Sequence, residues 1–324
     1  MTWCTVGFVG AGGVAVRHAR HLAGIPDVRI VAVTDPRPDA AQTFADMTGA
    51  AAVPGVAAML DHTPDAVYVC VPPHAHGPIE EQVIAANAAL FVEKPLSLEL
   101  STAQRIADLA RDRGVITAVG HHWRYSPGVD LVRELLANRP VRLAIGTWLD
   151  QVPPVPWWRV RALSGGQIVE QAVHVLDLIR VLCGEVDEVD ARASAAPPAV
   201  RGADVDAATV AIMRFQSGAV GTVAAACCLD WKQQAGLELH ADDLSVTIHE
   251  DRIAARTPRG PIQRLLHADV AKRAADRAFI DAVLGHRPAR EAILVDYDEA
   301  LRTHQLACAI TRSALHHRAV RLDG

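Results

Sequence analysis

Apolar and polar positions along the first 120 or so residues alternate in short regular blocks. Thr5 to Val9 is an apolar run of strand length that turns through Gly10-Ala11-Gly12-Gly13. A helical stretch follows to about Leu22, stopped by Gly24 and Pro26. Val28 to Thr34 predicts the next strand, with Asp35 at its end and Pro36 breaking it. Asp39 to Met47 predicts a helix stopped at Gly49, Ala51 to Val53 a brief strand, and Val56 to Leu60 a helical turn or two. Ala66 to Val71 is strongly apolar and ends in Pro72-Pro73. Pro78 to Ala88 predicts a helix, Leu90 to Glu93 a strand, Thr102 to Arg113 a helix and Val115 to Gly120 a strand. Strands alternating with helices in this way predict a parallel sheet covered on both faces.

After residue 122 the rhythm changes. An amphipathic helix, Val129 to Leu136, leads to a strand at Val141 to Trp148, and a Pro-rich loop from Val152 to Pro156 precedes a helix from Ile168 to Leu182. Strand-like runs then follow at Ala207 to Phe215, Ala219 to Leu229, Leu237 to Ala241 and Leu244 to His249. Turns as short as Gln216-Ser217-Gly218 join them, which requires antiparallel pairing. Two helices, Val270 to Leu284 and Asp296 to Leu315, end the pattern. The fold class is therefore α/β: a Rossmann-like parallel domain over residues 1–122, then an α+β domain over 123–324 whose last helix is expected to pack back towards the first. A length of 324 residues accommodates two such domains.

Composition narrows the function. The formal net charge is −5, which argues against a nucleic-acid groove. The longest apolar run, Ala219 to Leu229, falls well short of the roughly 20 residues of a membrane span. The apolar N-terminus has no Lys or Arg before it and is broken by glycines, so a signal peptide is not expected. The six cysteines lack metal-type spacing and are expected as reduced core thiols of a cytoplasmic protein.

Gly10-Ala11-Gly12-Gly13-Val14-Ala15 fits G-x-G-x-x-A between a strand and a helix. Glycines there permit a sharp turn and close approach of backbone N–H groups to a pyrophosphate at the helix N-terminus. Asp35, some 20 residues on, is placed to hydrogen-bond a ribose hydroxyl pair. Its charge favours NAD over NADP, although Arg37 beside it is a candidate partner for a 2′-phosphate.

Glu93-Lys94-Pro95 stands at the carboxyl end of the fifth strand, the edge where open α/β sheets bind ligands, so Lys94 is a candidate catalytic residue. In Ser164 to Asp177, a continuous helix would put Glu170, His174 and Asp177 on one side with Gln167 beside them. His174 one turn from Glu170 suits a general acid/base tuned by a carboxylate; a solvated polar face is the other reading. Trp157 and Trp158 are candidates to stack on a sugar ring or to wedge the loop, and Arg124 and Tyr125 to contact ligand or brace the hinge. His74, His76 and His121 offer a zinc-type alternative, weakened by the lack of an obvious further ligand, and no metal is expected.

These motifs in this order resemble the glucose–fructose oxidoreductase and inositol dehydrogenase family, Gfo/Idh/MocA. The residues carrying the resemblance are Gly10-x-Gly12-x-x-Ala15, Val69-Cys70-Val71-Pro72-Pro73 with His76, Glu93-Lys94-Pro95, and Gly165-Gly166 followed by Glu170-x-x-x-His174-x-x-Asp177. The resemblance implies a second domain with an open, mainly antiparallel sheet, and a hydride moved between nicotinamide and a hydroxyl or keto carbon of a sugar, cyclitol or related polyol. It implies Lys94 and His174 as the catalytic pair; Gln167, Glu170, Asp177, Trp157, Trp158, Arg124 and Tyr125 are the candidate substrate residues. Toward the cofactor it implies Gly10 to Val14, Asp35, Arg37, Val71, Pro72, His76, Glu93 and Lys94. Glu170 departs from the Asp of many cyclitol dehydrogenases in the family.

The leading expectation is thus an NAD(P)-dependent oxidoreductase with a small carbohydrate-like substrate. A dinucleotide sensor without catalysis and a His-ligated metal hydrolase are the alternatives. An open sheet face is expected to form a homodimer or homotetramer.

Overall fold

The structure is a computed structural model and describes residues 3–285 and 289–322. The chain resolves into two compact units, the first comprising Met1–His122 with Lys272–Leu301, the second Trp123–Ala271 with Arg302–Gly324. Where the sequence pattern suggests one cut after residue 122, residues 272–301 cluster with the first unit.

The first unit runs β1 (Cys4–Val9), α1 (Gly13–Leu22), β2 (Val28–Thr34), α2 (Pro38–Thr48), β3 (Ala51–Ala52) and α3 (Val56–Leu60). It continues with β4 (Ala66–Val69), α4 (Pro78–Ala85), β5 (Ala89–Val92), α5 (Leu100–Arg113) and β6 (Thr117–Val119). The six strands form one sheet in the order β3-β2-β1-β4-β5-β6, with every neighbouring pair parallel. Strands β4 and β5 are buried along their whole length, as expected of central strands covered on both faces. Gly49 and Gly114 end α2 and α5 with φ of 76° and 64°, a left-handed conformation that glycine adopts without a Cβ clash.

The second unit holds α6 (Pro127–Leu136), β7 (Val141–Gln151), α7 (Arg161–Ser164), α8 (Gln167–Glu170) and α9 (Val173–Cys183). Strands β8 (Val186–Ala193), β9 (Ala208–Phe215), β10 (Val220–Leu229), β11 (Gln234–Ala241) and β12 (Leu244–His249) follow. Next come β13 (Arg252–Thr257), β14 (Gly260–Leu265), α10 (Ala268–Val283), α11 (Tyr297–His316) and β15 (Val320–Arg321). Most of α10 belongs to the first unit, and α11 passes from one unit to the other after Leu301. The nine-stranded sheet is ordered β14-β13-β12-β11-β7-β10-β9-β8-β15. It is mixed: β7 and β10 are parallel and its other pairs antiparallel.

Helix α9 covers the inner face of this sheet. Gly146 of β7 makes the close approach, since a Cβ there would stand 2.7 Å from Val175 Cγ1 and 3.0 Å from Ile179 Cδ1. On the other face, Val210, Ile212 and Val220 are half or more exposed. The helix expected from Ile168 to Leu182 is in fact two, α8 and α9, separated at Gln171-Ala172. No described helix is long and apolar enough to cross a membrane.

Candidate active site

In the first unit, the glycine loop joins the end of β1 to α1. Gly10 has φ +94°, and a Cβ there would lie 2.2 Å from the Cys70 carbonyl oxygen, so the β1–β4 approach requires glycine. Gly12 caps α1 without any side-chain hydrogen bond. A Cβ on Gly12 or Gly13 would meet no protein atom. The first-turn N–H groups of a ten-residue helix thus stand where a diphosphate would be held. Val14 in that turn is an exposed apolar side chain, and Val71 and Pro72 lie half-buried after β4.

Asp35 ties this loop to the end of β2. Its Oδ2 accepts the Ala11 N–H at 2.9 Å, and its Oδ1 accepts the Arg37 N–H at 2.9 Å and Arg37 Nε at 3.2 Å. Partial burial would raise its pKa, but these amide donors and the guanidinium hold it below the usual value. The carboxylate is therefore an anion fixed beside the loop. Arg37 itself is 71% exposed. This arrangement fits a dinucleotide, with the Gly12–Val14 amides toward the diphosphate and Asp35 toward the ribose hydroxyls.

Two residues expected to line the cofactor are committed elsewhere. His76 has a fully buried side chain, and its Nδ1 lies 2.6 Å from Glu80 Oε1. Glu80 Oε2 accepts the Gly77 N–H, so the pair braces the start of α4. The Glu93 carboxylate meets His18 Nε2 at 2.9 Å and Arg17 Nη2 at 3.3 Å. Burial opposes its charge, but the hydrogen bond and charge of His18 bring it down to about 2. Lys94 beside it is half-buried.

In the second unit, His174 is the second residue of α9 and is 7% exposed. Its ring lies nearly parallel to Trp123, 5.9 Å away, and stacks against Trp148 at 6.0 Å. Lys232 Nζ sits 4.6 Å from the Trp148 ring centroid. The aromatic enclosure restrains the imidazole to one orientation. Sequence reasoning missed both Trp123 and Trp148; the signal was their scarcity in a chain only 4% aromatic.

The break at Gln171-Ala172 changes the expected polar stripe. Glu170, at the end of α8, accepts the Trp158 Nε1–H at 2.6 Å. Trp158 is 1% exposed and packs with Val205 and Cys227, so it wedges its loop rather than offering a stacking face. Half-buried Trp157 packs against the same cluster. Asp177 is fully buried and takes both Arg124 Nε and Nη2 at 2.7 Å. Thr303 Oγ1 adds a third donor at 2.8 Å. Asp177 and Arg124 are thus a buried structural pair rather than substrate ligands, while neighbouring Tyr125 stays half-buried. Gln167 is buried and donates to Gln171 Oε1 and the Ala226 carbonyl.

Among the described residues His74, His76 and His121 form no metal-type group; the triad of His/Cys/Asp/Glu ligand atoms that does cluster is His18, His21 and Asp276.

The family model described as oxidoreductase family, NAD-binding Rossmann fold, matches residues 4–121, and the Gfo/Idh/MocA C-terminal domain model matches 129–247. The chain belongs to the Gfo/Idh/MocA family, an oxidoreductase family with an NAD-binding Rossmann fold. It is 30% identical over 227 residues to the myo-inositol 2-dehydrogenase of Thermotoga maritima, spanning 67% of each chain. It is 26% identical over 226 residues to an uncharacterized oxidoreductase of Bacillus subtilis, spanning 67% of this chain and 65% of that one. These matches cover about two thirds of the length of either curated relative. The crystal structure of GenD2 from gentamicin A biosynthesis in complex with NAD superposes with a TM-score of 0.87 at 25% identity, covering 100% of this chain and 97% of that one.

Proposed function

We propose that this enzyme interconverts a secondary hydroxyl and a ketone on a sugar or cyclitol ring, with Lys94 and His174 as its catalytic residues. The observation that carries the reading is His174 itself, a deeply set imidazole at the start of α9 that packs against both Trp123 and Trp148, whose rings are 6.0 Å apart. A general base near neutrality is what a carbinol needs, because its O–H proton must leave as the C–H bond breaks. Bound NAD supplies the acceptor for the hydrogen and its electron pair. His174 takes the hydroxyl proton, and Lys94 donates to the same oxygen and steadies its developing negative charge.

The first unit binds the dinucleotide and the second binds substrate. A carbohydrate-like substrate is supported by the relative named myo-inositol 2-dehydrogenase. Asp35 favours NAD, and exposed Arg37 is the route to NADP. The uncovered face bearing Val210, Ile212 and Val220 supports a homo-oligomer, which light scattering at micromolar concentration tests directly.

A panel of cyclitols, sugars and keto-sugars with NAD and NADP, read at the absorbance of reduced nicotinamide, tests the reading. Turnover of at least one cyclitol or sugar is expected, with its loss in His174→Ala and in Lys94→Ala. Turnover retained in either variant removes that residue from the pair, and no turnover across the panel overturns the substrate class.

A further inference from the structure

The first unit contains a chain of buried charges that neither the glycine loop nor the proposed chemistry absorbs. On α1, Ala15, Ala19 and Leu22 face the core, and His18 and His21 share that buried face. Each imidazole lies 2.6 Å by its Nδ1 from a separate oxygen of Asp276, which comes from α10 and is fully buried. His18 is also bonded at its other end, with Nε2 at 2.9 Å from Glu93 Oε1. Its ring packs 5.0 Å from Phe91 and 5.2 Å from Tyr68.

Two carboxylates on the two nitrogens of one imidazole define its state. A carboxylate accepts only, so both nitrogens must donate, and only the imidazolium can do that. A metal ion does not explain the geometry. Two zinc–ligand bonds of about 2.0–2.1 Å at a tetrahedral angle put the ligand atoms about 3.3 Å apart, farther than the 2.6 Å seen here, which is a charge-assisted hydrogen-bond length.

We infer that Asp276, His18 and Glu93 form a buried relay of hydrogen-bonded charges that positions Lys94 for the reaction. The inference rests on the reading that Lys94 acts on the substrate oxygen. Glu93 immediately precedes Lys94, and the charge of Lys94 acts on the Glu93 carboxylate. Gly120, just after β6, closes on the carboxylate, where a Cβ would stand 2.7 Å from it. Glu93 is therefore held by His18 and Arg17 from α1 and hemmed in by Gly120. The backbone leading into Lys94 is thereby anchored at the end of β5. These are positioning residues, acting through Lys94.

Besides His21, which shares Asp276 with His18, three ionisable groups lie around His18 and Glu93. Burial pushes His122, which faces Glu93 with Arg17 and Lys272, down to about 3, so it is neutral. Burial pushes Tyr68 and Cys70 well above their ordinary values, so both keep their protons. Burial alone would discharge His18, but Asp276 and then Glu93 raise it to about 9. The relay is therefore intact at neutral pH and opens as pH rises through about 9.

The test uses the full-length enzyme and the best substrate of the panel, with Asp276→Asn, His18→Gln, Lys94→Ala and the double variant Lys94→Ala/His18→Gln. Asp276→Asn keeps the side-chain shape but removes the charge that keeps His18 protonated. The alkaline limb of its kcat profile is expected to move about 1–3 pH units lower. At pH 8, kcat should fall about 10- to 100-fold, the scale of a displaced catalytic group. KM and the NAD dissociation constant should stay within about twofold of wild type, since the relay touches neither in this reading. The double variant should be no worse than Lys94→Ala alone, because both act through one side chain. A folded Asp276→Asn with an unmoved limb and unchanged kcat overturns the inference, as does an additive double variant. Should His18→Gln not fold, the Asp276→Asn profile decides. A fully active Lys94→Ala instead overturns the role of Lys94, a distinct and recognisable failure.

Discussion

Two buried ionic networks, one in each compact unit, stand beside the two candidate catalytic residues, and they are built from different chemistry. In the first unit Asp276, His18 and Glu93 lead to Lys94. In the second, Arg124 and Asp177 are joined through Thr303 to Arg180 and Glu185. Asp177 lies one turn beyond His174 on α9, and Arg124 follows Trp123, whose ring stacks on His174. The first network has histidine as its cation and loses that charge as pH rises through about 9. The second uses arginine, which stays protonated in water at any pH of interest. One unit thus combines its lysine with a support that titrates, and the other combines its histidine with a support that does not.

The largest expected effect comes from breaking the arginine network. Arg124→Leu leaves the Asp177 carboxylate buried with Thr303 as its remaining named donor, and should cost about 3–5 kcal/mol of stability. Urea denaturation measures it. Replacing Asp177 as well, by Leu, removes the stranded charge and should recover much of the loss. A single variant as stable as wild type would mean that the fork of two 2.7 Å bonds does no more than a surface pair.

His174→Ala probes what that support is for. Turnover should fall at least about 100-fold, equivalent to about 2.7 kcal/mol in the barrier, while NAD binding stays near normal. The amides and Asp35 that fit the dinucleotide all belong to the first unit. Steady-state kinetics with a separate NAD titration distinguishes the two effects. Loss of NAD binding in step with activity would place His174 in cofactor binding instead.

The histidine network should show itself in the dependence of stability on pH. His18 is raised from 6.5 to about 9 in the folded chain, so its contribution is complete below about pH 6.5 and disappears as pH rises through about 9. Glu93 is lowered from 4.5 to about 2, so its contribution is present above about pH 4.5 and disappears as pH falls through about 2. Thermal melts from pH 6 to 9.5 should show a declining Tm in wild type and a flatter profile in His18→Gln. Arg124→Leu should keep the wild-type alkaline slope, since an arginine contributes none. Equal slopes in wild type and His18→Gln would mean that the alkaline loss arises elsewhere.

These networks also mark the limit of what the sequence makes legible. The strand–helix alternation of the first unit and the glycine loop are local patterns, and the sheet follows them. The run Leu244 to His249 is a strand with those bounds in the structure. Strands β8, β13 and β14 were missed because they carry Asp, Glu, Arg or Gln on exposed faces, as in Arg252–Thr257, and do not stand out as apolar. The break at Gln171-Ala172 has no proline or glycine to announce it, so Glu170 and His174 read as neighbours on one helix. Instead Glu170 takes the Trp158 indole. His18 and Asp276 are 258 residues apart, and pairing at that distance is a tertiary fact. A signal was nevertheless present. Two histidines at i and i+3 sit among Ala15, Ala19 and Leu22 on the buried face of α1, and buried polar groups demand partners.

The smallest expected effect lies at the rim of the second network, and it sharpens the distinction between buried and exposed charge. Arg302 approaches Glu185 at 3.8 Å, but its side chain is 62% exposed and that of Glu185 39%. Glu185 already accepts Arg180 Nε at 2.8 Å and Nη2 at 2.5 Å. Burial alone would raise the Glu185 pKa, but the Arg180 bonds and charge, with a lesser part from Arg302, hold it below the usual value. Water and salt screen the Arg302 contact, and ordering two long side chains offsets part of the attraction. Arg302→Gln should therefore cost less than about 0.5 kcal/mol, and less still in high salt. Urea denaturation at low and high ionic strength, beside Arg124→Leu under the same conditions, measures the contrast. A cost approaching that of Arg124→Leu would mean that the network extends to the surface as one cooperative unit, and that burial is not what concentrates its effect.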